Sequence, residues 1–354
     1  MYSKENCLNA IGEELESSNI HKDVREHYLK VKDAINNPDG SPPKILIFQP
    51  VSIGDSIISS LSAELLQIKY PGCTVDYMIS NIRTKAVLET NPFINNVIFD
   101  TDWEACRKRN TLELGSVGKD YDIVYSLYWW QGSIVKSFLE DLDLPTDYTR
   151  VKLYKHKEYS NKANEIVAKF GKPLICLQMD MNKSMYNGMP KWGGKTHALY
   201  VDLHDIANVY PLGTETPDTE YPEDIEIMRE ADLVVCTHGS IEHAAAAVGC
   251  QTVSMSTVFD PSLCMAASYQ NKYLPENKQH VIVKPKNWCN DYTRCITNKP
   301  VLSNHQLPPY GFPDKFPPHM YKPCDYGFKH TCIHDISTEE ILDKVKEVVK
   351  QWKQ

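Results

Sequence analysis

Two spacings of apolar residues alternate along most of the chain. Short stretches that are wholly or mostly apolar, such as those at 45–48 and 121–127, are followed by stretches in which apolar residues recur every three or four positions. An apolar run is typical of a parallel strand covered on both faces, and the longer spacing is typical of an amphipathic helix. Strands that alternate with helices predict an α/β protein whose parallel sheets are built from βαβ units.

The first of these units runs from Lys44 to Tyr70 and contains a strand, a short turn with Gly54 and Asp55, and a helix. Ligands of parallel sheets bind outside the carboxyl ends of the strands, which is where this turn lies. Asp55 is therefore a candidate functional residue at the mouth of a site. The alternative is that Asp55 caps the helix by accepting backbone N–H bonds, a common role for aspartate at this position.

The residues ahead of this unit, 1–43, show no strand pattern. Apolar residues recur at helical spacing over 5–36, and the sequence from Asn37 to Gly40 ends the run. We expect a helical N-terminal arm, which either packs on the neighbouring domain or binds a partner.

A second domain is predicted to follow the first. A glycine, a lysine and a proline open a new apolar strand near the middle of the chain, so we predict a first domain over 44–171 and a second over 172–336. Within the second, the segment 284–335 is rich in proline and cysteine and has little periodicity. The last stretch, 337–354, begins with a capping-box sequence and continues at helical spacing.

The second domain contains a turn with the composition of an anion site. After the buried strand DLVVC come Thr237, His238, Gly239 and Ser240, and then an alanine-rich helix. Small residues in a turn let a ligand approach the backbone, and the start of a helix offers free N–H groups and the positive end of its dipole. This pattern predicts a cradle for a diphosphate.

Composition excludes several classes of function. The 354-residue chain has a formal net charge of −8, which argues against a whole-molecule electrostatic grip on nucleic acid. Its 42% hydrophobic content includes no run long enough to cross a membrane. The N-terminal stretch carries acids where a signal peptide would be apolar, so we expect a cytoplasmic protein. For such a protein, eleven cysteines do not indicate a disulfide framework.

The segment SIGDSIISSLSAELLQIKYPGCTVDYMIS, followed by NPFINNVIFD, resembles the first domain of the lipopolysaccharide heptosyltransferase family. These are inverting glycosyltransferases of the GT-B fold that use ADP-heptose. The resemblance, which runs from about residue 44 to the end, implies two Rossmann-like domains whose parallel sheets face a cleft. It implies that the first domain binds the acceptor, that the second binds the nucleotide sugar, and that the last helix packs back on the domain junction. It also nominates Asp55, beside Gly54, as the base that deprotonates the acceptor hydroxyl.

The resemblance assigns a lysine to the donor phosphates. Lys191, next to Trp192, stands where the family has this lysine, and Lys183 and Lys195 are close enough in the sequence to take the role instead. A lysine holds phosphate as a point charge. The alternative is an ordinary surface lysine.

Other donor positions follow from the alanine-rich helix. His243 matches the family histidine, and Gly239 and Ser240 match small positions that contact phosphate. His238 stands where the family usually has aspartate, so we expect altered donor contacts. Judged without the resemblance, His243 is a helix-packing histidine and Glu242 is a solvated residue.

The chain also departs from the family between these two elements. The family has a long helix after the lysine-bearing loop, whereas this chain passes almost directly to apolar segments at 198–203 and 208–213. We therefore expect a trimmed second domain.

Four cysteines in the segment 284–335 form a candidate metal site. Thiolates bind zinc or iron and can staple a segment that has little core of its own. The resemblance extends to autotransporter heptosyltransferases, which carry a cysteine-bound metal near the C-terminus. The alternatives are free thiols, or a site in which His330 or His334 replaces one cysteine. The four candidates are Cys289, Cys295, Cys324 and Cys332.

The predicted function is an inverting glycosyltransferase that moves a heptose-like sugar from an ADP-heptose-like donor to an acceptor hydroxyl. In this reaction Asp55 takes the acceptor proton, while Lys191 and the 239–243 region stabilise the departing diphosphate. The acceptor is a glycan, a protein or a nucleic acid. One alternative is an epimerase or hydrolase of nucleotide sugars on the same fold. Another is a non-catalytic binding protein, which is favoured by His238 in place of an acid.

Overall fold

The computed structural model describes residues 3–38, 40–49, 53–79, 82–99, 117–127, 133–179, 195–213, 220–256, 261–286 and 335–352. These residues form two compact units. Unit 1 contains Met1–His156 and Tyr269–Pro275, and unit 2 contains Lys157–Ser268 and Glu276–Gln354.

Unit 1 is built on a four-stranded sheet. Its strands are β1 (Lys44–Gln49), β2 (Thr74–Ile79), β3 (Asn96–Phe99) and β4 (Ile123–Ser126). They pair in parallel in the order β3-β2-β1-β4. Its helices are Lys4–Leu15, Lys22–Asn36, Ile53–Ser59, Leu61–Lys69, Ile82–Leu88 and Ile134–Asp141. Five of the six residues of β1 are buried, as expected for a strand covered on both faces.

The N-terminal arm consists of the helices Lys4–Leu15 and Lys22–Asn36, and the second packs on the helix Leu61–Lys69. Its buried apolar residues are Cys7, Ile11, Val24, Tyr28, Val31 and Ile35. The carboxylate of Glu14 lies 2.6 Å from Arg150 Nη1 and 2.9 Å from Lys152 Nζ. The apolar faces of the arm are thus covered by its own unit.

Unit 2 is built on a five-stranded sheet. Its strands are β5 (Leu174–Gln178), β6 (Asn208–Leu212), β7 (Leu233–Thr237), β8 (Thr252–Met255) and β9 (Val281–Val283). They pair in parallel in the order β6-β5-β7-β8-β9. Its helices are Lys157–Phe170, Lys195–Leu203, Tyr221–Glu230, Ser240–Ala247, Pro261–Cys264 and Thr338–Gln351, and the helix Ala266–Gln270 starts in this unit.

The boundary between the units differs from the sequence-based division after residue 171. The helix Lys157–Phe170 belongs to unit 2 because it packs against the helix Tyr221–Glu230. Ser160 donates a hydrogen bond of 2.9 Å to Glu226 of that helix. A contact between residues so far apart in the chain leaves no signal in local sequence periodicity.

The expectation of a trimmed second domain stays a prediction. The segment 198–203 lies in the helix Lys195–Leu203, so a helix of 9 residues precedes β6. Leu199 and Leu203, four residues apart, are fully buried, whereas Val201 between them is 56% exposed. This is the spacing of a helix that buries one face.

The helix Thr338–Gln351 begins with the predicted cap, in which Ser337 Oγ accepts from the N–H of Glu340 at 3.1 Å. Its residues Ile341, Val345 and Val348 are buried in the core of unit 2, against β8 and the helix Lys195–Leu203. Packing of this helix on the domain junction stays a prediction.

The α/β class and the parallel sheets predicted from the sequence are confirmed. Within the described ranges, every helix falls short of the length and hydropathy needed to cross a bilayer.

Candidate active site

Both turns singled out in the sequence follow strands at which the sheet order reverses. In unit 1 the chain runs outward from β1 through β2 and β3, and then returns to place β4 on the other side of β1. In unit 2 it passes from β5 to β6 and then returns to place β7 on the other side of β5. Ligands of open α/β sheets bind outside the carboxyl ends of strands at such switch points. Each unit therefore has a candidate site at its predicted turn.

In unit 1 the candidate residues lie at the start of the helix Ile53–Ser59. Gly54 is buried, and Asp55 is half-buried in the first turn of this helix. Asp55 thus lies two residues inside the helix and not at the capping position that the alternative interpretation gave it. A carboxylate in the first turn still interacts favourably with the helix dipole.

In unit 2 the candidate turn is anchored to the neighbouring strand. The side-chain oxygen Oε1 of Gln178, at the end of β5, accepts from the backbone N–H of Thr237 at 3.1 Å and from its hydroxyl at 3.3 Å. The N–H of His238 donates to the carbonyl of Met255 at 3.0 Å. Sequence reasoning missed Gln178, although a polar residue that ends an apolar strand beside the switch point was a usable signal.

Gly239 gives the turn its shape. Its φ of 152° and ψ of −165° belong to a region that is essentially restricted to glycine. A Cβ at this position would meet no described atom within 4 Å, so the turn is open on this side. The helix Ser240–Ala247 starts directly after it, and the first N–H groups of a helix have no partner within the helix.

Three ionisable side chains lie together at the start of this helix. Glu242 Oε1 accepts from the N–H of Ala267 at 2.7 Å, and Glu242 Oε2 lies 2.7 Å from His243 Nδ1. The ring of His238 meets that of His243 edge to face, with centroids 5.4 Å apart. Glu242 has no exposed surface, so its interpretation as a solvated residue is wrong.

The surroundings set the charges of this cluster. Burial by itself would raise the pKa of Glu242, but attraction and hydrogen bonding to His243, the proximity of His238 and the N–H of Ala267 hold that pKa below its usual value. Burial and repulsion from His243 lower the pKa of His238 to about 4, although Glu242 acts in the opposite direction. At neutral pH Glu242 is an anion, and His238 adds no charge.

The candidate lysines are only partly described. Lys191 and Lys183 lie outside the described residues. Lys195 begins the helix Lys195–Leu203, and its Nζ donates to the carbonyl of Ile336 at 3.0 Å. This contact fixes the ammonium of Lys195 to the segment ahead of the C-terminal helix.

The candidate metal ligands Cys289, Cys295, Cys324 and Cys332, with the alternatives His330 and His334, also lie outside the described residues. Among the residues that the structure describes, no group of three or more His, Cys, Asp or Glu side chains is arranged to hold a metal ion. The described cysteines are free and buried. Burial raises the pKa of the Cys7 and Cys250 thiols to about 12, so these residues are unreactive.

Solved structures share this architecture. A glycosyl transferase family 9 protein from Veillonella parvula has a TM-score of 0.58 and 12% identity, over 89% of this chain and 100% of that one. ADP-heptose LPS heptosyltransferase II from E. coli has a TM-score of 0.58 and 15% identity, over 88% and 100%. The dodecameric iron-containing heptosyltransferase TibC, from enterotoxigenic E. coli and in complex with ADP-D-β-D-heptose, has a TM-score of 0.55 and 12% identity, over 90% and 80%.

No protein-family model and no curated protein matches the chain. At these identities the structural likeness shows the fold, which is GT-B. The resemblance to heptosyltransferases stated from the sequence is confirmed at this level.

Proposed function

We propose that the protein is an inverting glycosyltransferase that moves a heptose-like sugar from a nucleoside diphosphate donor to an acceptor hydroxyl. The observation that carries the proposal is the turn at the carboxyl end of β7. It lies at a switch point, contains a glycine in a conformation reserved for glycine, and leads into a helix whose first N–H groups are available to an anion.

In the proposed reaction the donor diphosphate binds at Gly239 and Ser240. As the bond between the anomeric carbon and the diphosphate breaks, its electron pair leaves with the diphosphate, and negative charge grows on the departing oxygen. The start of the helix Ser240–Ala247 and His243 stabilise that charge. Lys191 is proposed to add a point charge to the same group.

Asp55 is the proposed base. The acceptor oxygen attacks the anomeric carbon on the face opposite the diphosphate, which inverts the configuration, and its proton passes to the Asp55 carboxylate. Half-burial of Asp55 in the first turn of the helix that follows β1 suits this role because a base needs access to the acceptor hydroxyl. The acceptor itself is a glycan, a protein or a nucleic acid.

An ADP-heptose-like donor is supported by the sequence resemblance and by the fold shared with TibC, whose structure contains ADP-D-β-D-heptose. His238, which is neutral at a position where the family usually has an acid, argues for donor contacts of a different kind.

The experiment is incubation of the protein with a panel of nucleotide sugars. Binding is measured as a thermal shift, and turnover as released nucleoside diphosphate with and without candidate acceptors. We expect an ADP-sugar to raise the melting temperature and to be consumed when an acceptor is added. Release of free sugar or of an epimer without acceptor would support the hydrolase or epimerase alternative. A thermal shift without turnover for any acceptor would support a binding protein.

A further inference from the structure

Glu242 is a buried ionisable residue to which the proposed reaction gives no part. It has no exposed surface, and it lies in a helix that otherwise contains one serine, one isoleucine, alanines and His243. A buried carboxylate is strongly unfavourable unless other groups hold its charge. Because the Glu242 carboxylate is kept in its charged form, the groups that compensate its negative charge indicate its role.

Those contacts fix one edge of the His243 ring. Glu242 Oε2 has no partner among the described residues other than His243 Nδ1, at 2.7 Å, and the N–H of Ala266 lies 3.4 Å from the same nitrogen. A carboxylate oxygen only accepts, so its contact requires a proton on Nδ1, whereas the amide contact would require a lone pair there. The short contact to a charged group outweighs one near the limit of hydrogen bonding. Nδ1 therefore carries a proton.

The opposite edge of the ring lies toward the start of the helix. Helical side chains point back toward the N-terminus of their helix, and the His243 ring meets the ring of His238, the residue before Gly239. The described contacts of its polar atoms all involve Nδ1, and no described residue bonds to Nε2. His243 is 5% exposed, so most of its ring lies below the surface, beside a turn that is open at Gly239.

We propose that Glu242 is a positioning residue that holds His243 through Nδ1, so that Nε2 faces the donor diphosphate at the Gly239–Ser240 turn. This inference rests on the proposed function and specifies how the same site recognises a diphosphate. An imidazole placed between two acceptors donates to both only when both nitrogens carry protons. Diphosphate binding therefore takes up one proton from solution, at Nε2.

The titratable groups next to His243 do not account for the proton uptake that is expected on diphosphate binding. Burial lowers the pKa values of His238 and His280 to about 4, against the attraction of Glu242, and burial raises the pKa of the Cys236 thiol. All three are neutral between pH 6 and pH 8. The helix that contains Ala266 and Ala267 contributes backbone N–H groups to the cluster. These three groups therefore contribute no proton uptake in this pH range.

The test is calorimetry of ADP binding at pH 6 and pH 8, in two buffers that differ in ionisation enthalpy. For the wild type we expect tighter binding at pH 6 and uptake of up to one proton per ADP. In Glu242→Gln the amide oxygen of the glutamine keeps the hydrogen bond from the N–H of Ala267. The amide nitrogen then faces His243 Nδ1, which must accept a hydrogen bond from it. A neutral His243 then holds its proton on Nε2. We expect proton uptake to fall toward zero and affinity at pH 6 to fall about tenfold.

The matched control is Glu226→Gln. Glu226 is an equally buried glutamate of unit 2 that is bonded to Arg229 and Ser160, away from the turn. This variant is expected to keep the affinity and the proton uptake of the wild type. If a thermal melt shows that Glu242→Gln does not fold, the His243→Gln variant is used to test the proposal. Glutamine has no titratable nitrogen, so this variant should abolish proton uptake on ADP binding.

Wild-type affinity and uptake in Glu242→Gln, or uptake that persists in His243→Gln, would overturn the role of Glu242. ADP binding by the wild type without proton uptake would do the same and leave the proposed function intact. Absence of ADP binding by the wild type would instead overturn the proposed donor, and this role with it.

Discussion

Asp55 and Glu242 are both acids in the first turn of a helix that follows a parallel strand, yet their surroundings give them different chemistry. Asp55 is half-buried, so its carboxylate can exchange a proton with a ligand that enters from solvent. Glu242 has no exposed surface, and its two oxygens are held by Ala267 and His243. The roles proposed for the two acids, proton transfer for Asp55 and orientation of His243 for Glu242, thus rest on their different burial and not on their position in the helix.

Asp55→Asn separates the catalytic role from the structural one. The change keeps the size of the side chain but removes the proton acceptor, so turnover should fall by about 10²- to 10⁴-fold. Loss of a charge from the first turn should cost about 1 kcal/mol of stability or less. Donor affinity should stay unchanged, because the base acts on the acceptor. The measurements are steady-state transfer, a denaturant melt and calorimetry with the donor.

Glu339→Gln is the control for this prediction. Glu339 occupies the first turn of the C-terminal helix, so the variant removes the same kind of charge without touching a candidate site. It should leave turnover at the wild-type level. If Asp55→Asn also turns over like the wild type, Asp55 only stabilises its helix, and the base must be sought among other acids.

At the scale of elements, burial decided which predictions succeeded. The apolar run at 45–48 lies within β1, whose residues from Ile45 to Gln49 are buried as expected for a strand covered on both faces. The helix Lys195–Leu203 has a weak sequence signal because Leu199 and Leu203 are its only fully buried apolar residues, with Tyr200 packed at the edge of the core. Burial of Glu242 could not be predicted from the sequence, since it depends on the N–H of Ala267, 25 residues further along the chain.

Ser240→Asp tests the start of the helix Ser240–Ala247 as the diphosphate site. A carboxylate at the first helical position repels the phosphates, so affinity for a nucleoside diphosphate should fall by at least about tenfold. The same charge interacts favourably with the helix dipole, so the melting temperature should not fall. Calorimetry and a thermal melt of one sample measure the two effects, which have opposite signs.

Thr338→Asp is the matched control, because Thr338 is the first residue of the C-terminal helix. This variant should gain the same dipole interaction and leave nucleotide affinity unchanged. Unchanged affinity in a folded Ser240→Asp variant would mean that the diphosphate binds elsewhere.

At the scale of the whole molecule, the order of elements predicted the fold but not the limits of its units. The alternation of strands and helices was sufficient for two parallel sheets. The helix Lys157–Phe170 groups with unit 2, whereas the sequence-based division assigned it to the first domain, because its contacts with the helix Tyr221–Glu230 have no counterpart in local periodicity. The return of Tyr269–Pro275 to unit 1 also rests on distant contacts, such as the hydroxyl of Tyr273 that accepts from the N–H of Thr149 at 2.8 Å.

The last prediction concerns the segment 284–335, whose four cysteines lie outside the described residues. If Cys289, Cys295, Cys324 and Cys332 hold a metal, the purified protein should contain about one zinc or iron per chain, and a chelator should lower its melting temperature because ligation is coupled to folding of the segment. Cys324→Ala should lose the metal. Cys250→Ala should keep it, because Cys250 is a buried thiol whose raised pKa disfavours the thiolate that a metal needs.

Metal analysis of alanine variants also tests whether His330 or His334 is a ligand in place of one cysteine. If His330 or His334 replaces one thiolate, the corresponding change to alanine should release the metal, and one of the four cysteines should be dispensable for it. Zinc and iron are distinguished by elemental analysis, and an iron–thiolate site also absorbs visible light. Metal-free protein in which all four thiols react freely with a thiol reagent would contradict the prediction.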